Sequence, residues 1–295
     1  MLNQIYQLLD PIAFSVGPFS VRWYGIAYVL GFFFAGLIIW RLAKRWKVRI
    51  NTDALFTILL CIILGVIVGA RLGYVIFYGT GEYLAHPLEI FMISNGGMSF
   101  HGGLVGALLA GIVAAKLCDI PYLTLADMGC IAAPIGLFFG RCANFINGEL
   151  WGAPTDLPWG VVFGGAAGSM PRHPSQLYEA LLEGVLIFIV LFALSRKLPP
   201  RPRGTFLGLF LIMYGVCRFL IEFVREPDAQ LGYLWGGWLT MGQVLSVPLI
   251  LVGVCVLVYA VRRNLPQCGL QNDIEDVSLC AEQTESSEKE DDSAK

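Results

Sequence analysis

The sequence predicts an all-α, polytopic membrane protein with seven transmembrane helices, and three observations support this fold class. Of the 295 residues, 56% are hydrophobic and 14% are charged, whereas soluble domains carry about a quarter charged residues. The mean hydropathy is +0.67. Several stretches also reach roughly 20 mostly apolar residues, the length that crosses a ~30 Å hydrocarbon core. A single soluble core is therefore excluded.

Seven apolar stretches follow one another along the chain and define the predicted helices. They cover residues 20–40, 53–78, 98–117, 122–143, 175–195, 204–224 and 238–261. Glycine and alanine recur every four positions in the second and third stretches, from Gly65 to Gly73 and from Gly102 to Ala114. Small residues at this spacing let helix backbones approach closely in a membrane, so both helices are predicted to pack closely in the bundle.

The basic residues of the connections predict the orientation, because cytoplasmic loops carry the excess of lysine and arginine. One side of the membrane collects Arg41, Lys44, Arg45, Lys47, Arg49, Lys116, Arg196, Lys197, Arg201, Arg203, Arg262 and Arg263. The other side has few basic residues. The N-terminus is therefore predicted outside and the C-terminus in the cytoplasm, which places the polar segment 144–174 on the outer side.

The C-terminal tail differs in composition from the rest of the chain. Residues 266–295 hold nine acidic residues against two lysines, while the remaining chain holds 18 basic and 13 acidic residues. A polar, acidic segment with few large apolar residues cannot bury enough surface to offset its ordering entropy. The prediction is a membrane-embedded catalytic domain over residues 1–265 and a disordered cytoplasmic tail over residues 266–295.

Ionisable side chains inside the predicted spans are few, and such residues are costly and usually functional. They are Arg71, Asp127, Arg141, Glu179, Glu183, Arg218 and Glu222, with His101 and Glu149 close to the outer boundary. On the predicted topology most of them lie in the outer halves of their helices, and only Asp127 lies near the cytoplasmic side. This clustering predicts a polar site at the outer end of the bundle.

Two pairs in this set are spaced four residues apart and therefore share a helix face. Arg218 and Glu222 can form an ion pair, either as part of a site or merely to make two buried charges tolerable. Glu179 and Glu183 are both acidic and should repel each other unless an arginine lies nearby, which Arg71, Arg141 or Arg218 could supply. Glu179 also follows the helix start, where a carboxylate suits the positive helix end, so a capping role stays open.

The densest polar segment is Gly140–Gly152, which offers Arg141, Asn144, Asn147 and Glu149 within nine residues. Guanidinium groups bind phosphate oxygens in pairs of hydrogen bonds, and amide side chains can complete such a cradle. A phosphate-bearing ligand is favoured over a plain interfacial helix end. His101 lies between glycines at the start of the third span and can transfer protons near neutral pH, although a hydrogen-bonded loop histidine is an equal alternative.

The chain closely resembles the bacterial phosphatidylglycerol–prolipoprotein diacylglyceryl transferases. The segment 140–152 reads Gly-Arg-x-Ala-Asn-Phe-x-Asn-x-Glu-x-x-Gly, the signature of that family. Matching blocks follow the family order from about residue 14 to residue 263. They are Trp23–Gly25, Gly97–Leu104, Pro171–Glu179, Tyr214 with Arg218 and Glu222, Pro227–Gln230 and Met241–Gln243.

The resemblance implies a seven-helix enzyme of the bacterial inner membrane with its active site towards the periplasm. Such an enzyme takes phosphatidylglycerol from the bilayer and a prolipoprotein signal peptide with a lipobox cysteine. It transfers the diacylglyceryl group to the cysteine thiol, which forms a thioether and releases glycerol phosphate in the first step of lipoprotein maturation. No nucleic acid, metal or organic cofactor is expected.

The resemblance also implies importance for individual positions, to which the chemistry suggests roles. Arg141 and Arg218 are predicted to hold the phosphate, and His101 is the leading candidate for the base that removes the thiol proton. Tyr24, Asn144 and Gly152 are predicted to shape the headgroup pocket. The supporting residues are Glu149 and Glu222, which are predicted to orient the arginines, together with Tyr214 and Glu179.

Two other classes of protein compete with this prediction. A transporter would also carry buried Arg/Glu pairs, but seven spans do not divide into equal repeats and no paired broken helices are evident. A structural membrane scaffold would not need so dense an outer polar cluster.

Overall fold

The computed structural model is mostly helical. It describes residues 2–17, 19–78, 83, 86–92, 97–226, 232, 234 and 239–267. The principal helices are α1 (Leu2–Tyr6), α2 (Trp23–Arg45), α3 (Thr52–Tyr78), α4 (Phe100–Leu117), α5 (Tyr122–Asn147), α6 (Ser175–Ser195), α7 (Thr205–Ile221) and α8 (Met241–Arg263). The predicted tail lies outside the described residues from position 268 onward.

Each of the seven predicted apolar segments overlaps one of the helices α2 to α8, although several of these helices extend beyond the predicted bounds. Among the described residues, five of them are long and apolar enough to cross a membrane, namely α2, α3, α5, α6 and α8. Helices α4 and α7 are apolar but shorter, with 17 residues in their apolar parts. A multi-pass membrane protein is therefore supported by length and composition.

The prediction of a purely helical chain misses one element, an antiparallel hairpin near the N-terminus. Strand β1 (Ile12–Val16) pairs with β2 (Phe19–Arg22), and β2 leads directly into α2 at Trp23. Phe14 and Val16 point to the same side of β1, as residues two apart do in a strand, and both are exposed. The predicted first span therefore begins three residues too early, because residues 20–22 belong to this hairpin.

The chain divides into two compact units. The first consists of Met1–Ile39 and Asp127–Pro266, and the second of Trp40–Ala126 and Gln267–Lys295.

The second unit contains a close helix pair formed by the two helices with the glycine pattern. A β-carbon added to Gly69 would lie 2.7 Å from the α-carbon of Gly106, and one added to Gly73 would lie 2.7 Å from the α-carbon of Gly102. Only glycine leaves room for backbones at this separation. The close packing predicted for both helices is confirmed, and the structure shows that α3 and α4 are each other's partner.

The first unit contains a second close pair, formed by α7 and α8. Added β-carbons on Gly208 and Gly253 would each lie 2.9 Å from the carbonyl oxygen of the other glycine. Asp127 fixes the start of α7, since its carboxylate accepts the N–H groups of Gly204 and Leu207 at 2.7 Å each. The one ionisable residue predicted far from the outer cluster therefore caps a helix, where the N-terminal end favours a negative charge.

Candidate active site

Glu179 lies at the centre of a cluster of buried charges in the first unit. Its Oε1 atom accepts Nη1 of Arg218 at 2.7 Å and Nη1 of Arg225 at 2.9 Å. Its Oε2 atom lies 2.8 Å from Nε of Arg141. The Glu179 side chain has no exposed surface. One carboxylate therefore positions three guanidinium groups, which a helix-capping role does not explain.

Two further carboxylates complete the cluster. Oε2 of Glu183 lies 3.4 Å from Nη2 of Arg141. Glu222 forms the predicted ion pair with Arg218, and its Oε1 atom lies 3.8 Å from Nε of Arg225. Three arginines thus face three glutamates. This balance is what makes six buried ionisable groups tolerable, because an unpaired buried charge costs several kcal/mol.

Helix ends bring these residues together although they are far apart in sequence. Arg141 lies near the end of α5, Glu179 and Glu183 near the start of α6, and Arg218 near the end of α7. Helix α6 contains a π-helical stretch at Ala180–Leu186, a feature that is frequent at functional sites.

A glycine in this π-helical stretch allows α6 to approach α5. A β-carbon added to Gly184 would lie 2.7 Å from the β-carbon and 2.9 Å from the α-carbon of Phe138. This contact is one residue after Glu183 and one helical turn before Arg141. The small residue therefore brings the Glu183 carboxylate within reach of the guanidinium.

The segment that follows α5 is organised around Glu149. Its Oε1 atom accepts the side-chain amides of Asn144 at 2.8 Å and Asn147 at 3.2 Å. Its backbone carbonyl accepts Nε2 of Gln176 at 2.6 Å. Glu149 was predicted to orient the arginines, but the side-chain hydrogen bonds described for it run to asparagine amides.

Gly152 ends the segment in a position that only glycine can occupy. Its N–H donates to the carbonyl of His173 at 2.9 Å, and it forms an antiparallel bridge with Arg225. An added β-carbon would lie 2.5 Å from the carbonyl oxygen of Val224 and 2.6 Å from the β-carbon of His173. The end of the 140–152 segment is thereby attached to the backbone that carries the third arginine.

The polar segment 144–174 adds further contacts at Gly152. Arg172 pairs with Glu226 at 2.8 Å and also donates to the carbonyl of Gly152 at 3.2 Å. Burial lowers the pKa of the neighbouring His173, and its Nδ1 atom lies 3.3 Å from the hydroxyl of Tyr178. These contacts agree with a structural role for His173.

Tyr24 and Tyr214 also lie in the first unit. Tyr24 is in the first turn of α2, where its ring meets that of Tyr28 edge to face at 5.1 Å. Tyr214 lies four residues before Arg218 on α7 and therefore shares its helix face.

His101 and Arg71 belong to the second unit. His101 lies in the first turn of α4, which begins at a cap formed by Ser99, and its side chain is exposed. Arg71 is buried and donates to the carbonyls of Ile90 at 2.8 Å and Gly97 at 3.1 Å. Through these contacts Arg71 holds the backbone of residues that precede α4.

Arg225 is the main functional candidate that the sequence did not assign to the site. It lies beyond the end of α7, seven residues after Arg218 and three after Glu222. The feature of the sequence that pointed to Arg225 was its spacing, which continues the helix face of Arg218 and Glu222. Helical spacing does not determine where a side chain points beyond the end of a helix. Only the contact with Glu179 shows that the Arg225 side chain points into the cluster.

Comparisons with known proteins identify relatives of this chain. A family model described as prolipoprotein diacylglyceryl transferase matches residues 11–259. A phosphatidylglycerol–prolipoprotein diacylglyceryl transferase from Geobacter sulfurreducens is 48% identical over 257 residues, which cover 87% of this chain and 97% of the relative. Proteins of the same name from Methylocella silvestris and Pseudomonas aeruginosa are 50% and 48% identical. They cover 88% and 89% of this chain, and 96% and 97% of their own lengths.

Proposed function

This chain belongs to the prolipoprotein diacylglyceryl transferase family, and from this membership we infer that it acts on phosphatidylglycerol and prolipoproteins. It transfers the diacylglyceryl group to the thiol of the lipobox cysteine, forms a thioether and releases glycerol phosphate. The observation that carries the mechanism is the arginine cluster on Glu179, which includes Arg141 from the family segment.

The two arginines have the features of a phosphate site. The side chains of Arg141 and Arg218 are 15% and 17% exposed, whereas the side chain of Glu179 is fully buried. Each guanidinium has five N–H groups, of which the carboxylates engage only some. The carboxylates therefore fix the guanidiniums from their buried side, and the remaining N–H groups can donate to an anion.

The chemistry requires such donors. The sulfur of the substrate cysteine attacks the glycerol carbon that bears the phosphate, so that a C–S bond forms and the C–O bond to the phosphate breaks. The bonding electrons leave with the phosphate oxygen, and the departing glycerol phosphate gains negative charge. Arginines that are already in place stabilise this charge without reorganisation, and they do so best where water is scarce.

The thiol must lose its proton before or during the attack. A free thiol has a pKa of ~8.5, so a base or electropositive surroundings must favour the thiolate. His101 is the proposed base, because a histidine can accept a proton near neutral pH. The proton passes from the cysteine sulfur to the imidazole.

The remaining site residues have supporting roles in this proposal. Tyr24, Asn144 and Gly152 shape the headgroup pocket, and Glu149 orients Asn144. Glu222, together with Glu179, orients the arginines, while Tyr214 lies on the same helix face as Arg218.

The proposed topology has seven spans, an outer N-terminus and a cytoplasmic C-terminus in the bacterial inner membrane, with the active site towards the periplasm. The cluster supports this alternation, since it joins the end of α5, the start of α6 and the end of α7. In antiparallel neighbours these ends lie on the same side. The 17 apolar residues of α4 and α7 span ~26 Å at 1.5 Å per residue, a shortfall that local thinning of the bilayer accommodates.

A mass measurement tests the function directly. Purified protein is incubated with phosphatidylglycerol vesicles and a lipobox peptide, and the peptide is weighed. A diacylglyceryl increment is expected for the unchanged protein and for Arg263→Ala, which alters an arginine at the far end of α8. An unmodified peptide from correctly folded protein would overturn the proposal.

Two variants test the phosphate assignment. Arg141→Ala and Arg218→Ala should each lower turnover by about 100-fold or more, the magnitude typical of removing one preorganised donor. Near-normal turnover in both would refute the assignment of these arginines and leave the family activity standing.

A further inference from the structure

Glu222 is held in place by the start of α8 as well as by its arginines. Its Oε2 atom accepts the hydroxyl of Thr240 at 2.6 Å, while its Oε1 atom pairs with Arg218. Glu222 is 5% exposed and Thr240 is 2% exposed. The carboxylate thus joins a residue just before α8 to a guanidinium of the cluster.

The hydroxyl of Thr240 has two simultaneous roles. Its oxygen accepts the N–H of Gln243 at 3.2 Å, and Oε1 of Gln243 accepts the N–H of Thr240 at 3.1 Å. This reciprocal arrangement is a capping box. Because a hydroxyl has a single hydrogen, capping leaves that hydrogen for Glu222.

Gly242 provides the space for the carboxylate. A β-carbon at this position would lie 2.6 and 2.8 Å from the two carboxylate oxygens of Glu222, well inside van der Waals contact. The carboxylate therefore lies against the first turn of α8, where the helix dipole favours a negative charge. A methyl group here would displace Glu222.

We propose that Thr240 and Gly242 are positioning residues of the transfer reaction, which fix Glu222 and through it the guanidinium of Arg218. Glu179 holds one terminal nitrogen of Arg218 and Glu222 holds the other. Two anchors on a planar guanidinium set both its position and its plane. The proposal rests on the role of Arg218 in the proposed function.

Substitutions at the two positions separate positioning from capping. Thr240→Val removes the hydroxyl at nearly constant shape, and Thr240→Ser keeps it. Gly242→Ala leaves the capping box intact, and alanine is the better helix former. If α8 needed only a stable first turn, Gly242→Ala would be neutral or stabilising.

A loss of turnover is expected for Thr240→Val and Gly242→Ala, but not for Thr240→Ser. Thr240→Val and Gly242→Ala should lower kcat about 10- to 100-fold, because a misplacement of about 1 Å can cost about 100-fold. KM for phosphatidylglycerol should change less, since Arg141 still binds the ground state. Thr240→Ser should retain most of the activity.

Ser246→Ala serves as the matched control on the same helix. The hydroxyl of Ser246 donates to the carbonyl of Gly242 at 2.7 Å, one turn further along α8. The variant loses a buried hydroxyl of α8 without touching Glu222. Its kcat should stay within about twofold of that of the unchanged enzyme, as expected when no reacting group moves.

A double-mutant cycle tests whether the effect passes through Arg218. In an Arg218→Lys background, Thr240→Val and Gly242→Ala should cost little more, because the group that they position has already been replaced. Two results would overturn the proposal. In the first, the kcat of each double variant falls by the product of the losses seen in the two single variants. In the second, Thr240→Val and Gly242→Ala both keep an unchanged kcat while Arg218→Ala is inactive. The second result would leave the proposed function intact. If the proposed function itself were wrong, the enzyme without any substitution would be inactive.

Discussion

Replacement of Glu179 by glutamine is the most informative single perturbation of the cluster. The amide keeps the shape of the side chain but removes the charge that faces Arg141, Arg218 and Arg225 at 2.7 to 2.9 Å. It also turns an N–H2 group towards at least one guanidinium. Three arginines are then left with two carboxylates.

The structure allows the size of the effect to be estimated. Removing one partner of a buried ion pair costs about 3–5 kcal/mol, and here one side chain serves three partners. We therefore expect a loss of stability of at least that order. Turnover should fall by about 100-fold or more, because guanidiniums that lose their anchor must reorganise as charge develops on the phosphate. KM for phosphatidylglycerol should not rise in parallel, since the site has gained one unit of net positive charge.

The assay compares Glu179→Gln with Glu226→Gln in the same detergent or nanodisc. Glu226 also forms a 2.8 Å ion pair, with Arg172, but its side chain is 43% exposed, and exposed pairs contribute about 0–1 kcal/mol. Thermal inactivation and the kinetics of peptide modification are measured for both. Equal effects of the two substitutions, or near-normal turnover in Glu179→Gln, would refute the reasoning.

Three further outcomes are expected. Gly152→Ala should abolish most activity, because its β-carbon would lie 2.5 Å from a carbonyl oxygen. Gly129→Ala is the control and should be active, since its β-carbon would meet no atom within 4 Å. Comparable kinetics in the two variants would contradict this prediction. His101→Gln should remove a limb of the pH–rate profile if His101 is the base, and an unchanged profile would exclude that role. Asp127→Ala should lower thermal stability by about 1 kcal/mol, as loss of a cap does, with unchanged kcat; a large fall in kcat would show that Asp127 does more than hold the start of α7.

Local sequence was sufficient for the features that depend on spacing along one helix. The pair of Arg218 and Glu222 was predicted because residues four apart share a face. Close packing of α3 and of α4 was predicted because small residues recur at the same spacing, but the spacing did not identify the partner of either helix. The pairing of β1 with β2 was not predicted, since a short apolar run gives little periodicity from which to distinguish strand from helix.

The sequence by itself determined the apolar segments, the family and the identities of most of the polar residues that form the candidate site. Only the tertiary structure decided which of these charges meet: that Glu179 anchors three arginines, that Glu149 binds amides, that Asp127 caps a helix and that Thr240 holds Glu222. The physical reason is that helical periodicity specifies contacts up to about four residues away. The partners of Glu179 lie about 40 residues distant on other elements and meet it only where the ends of those elements converge.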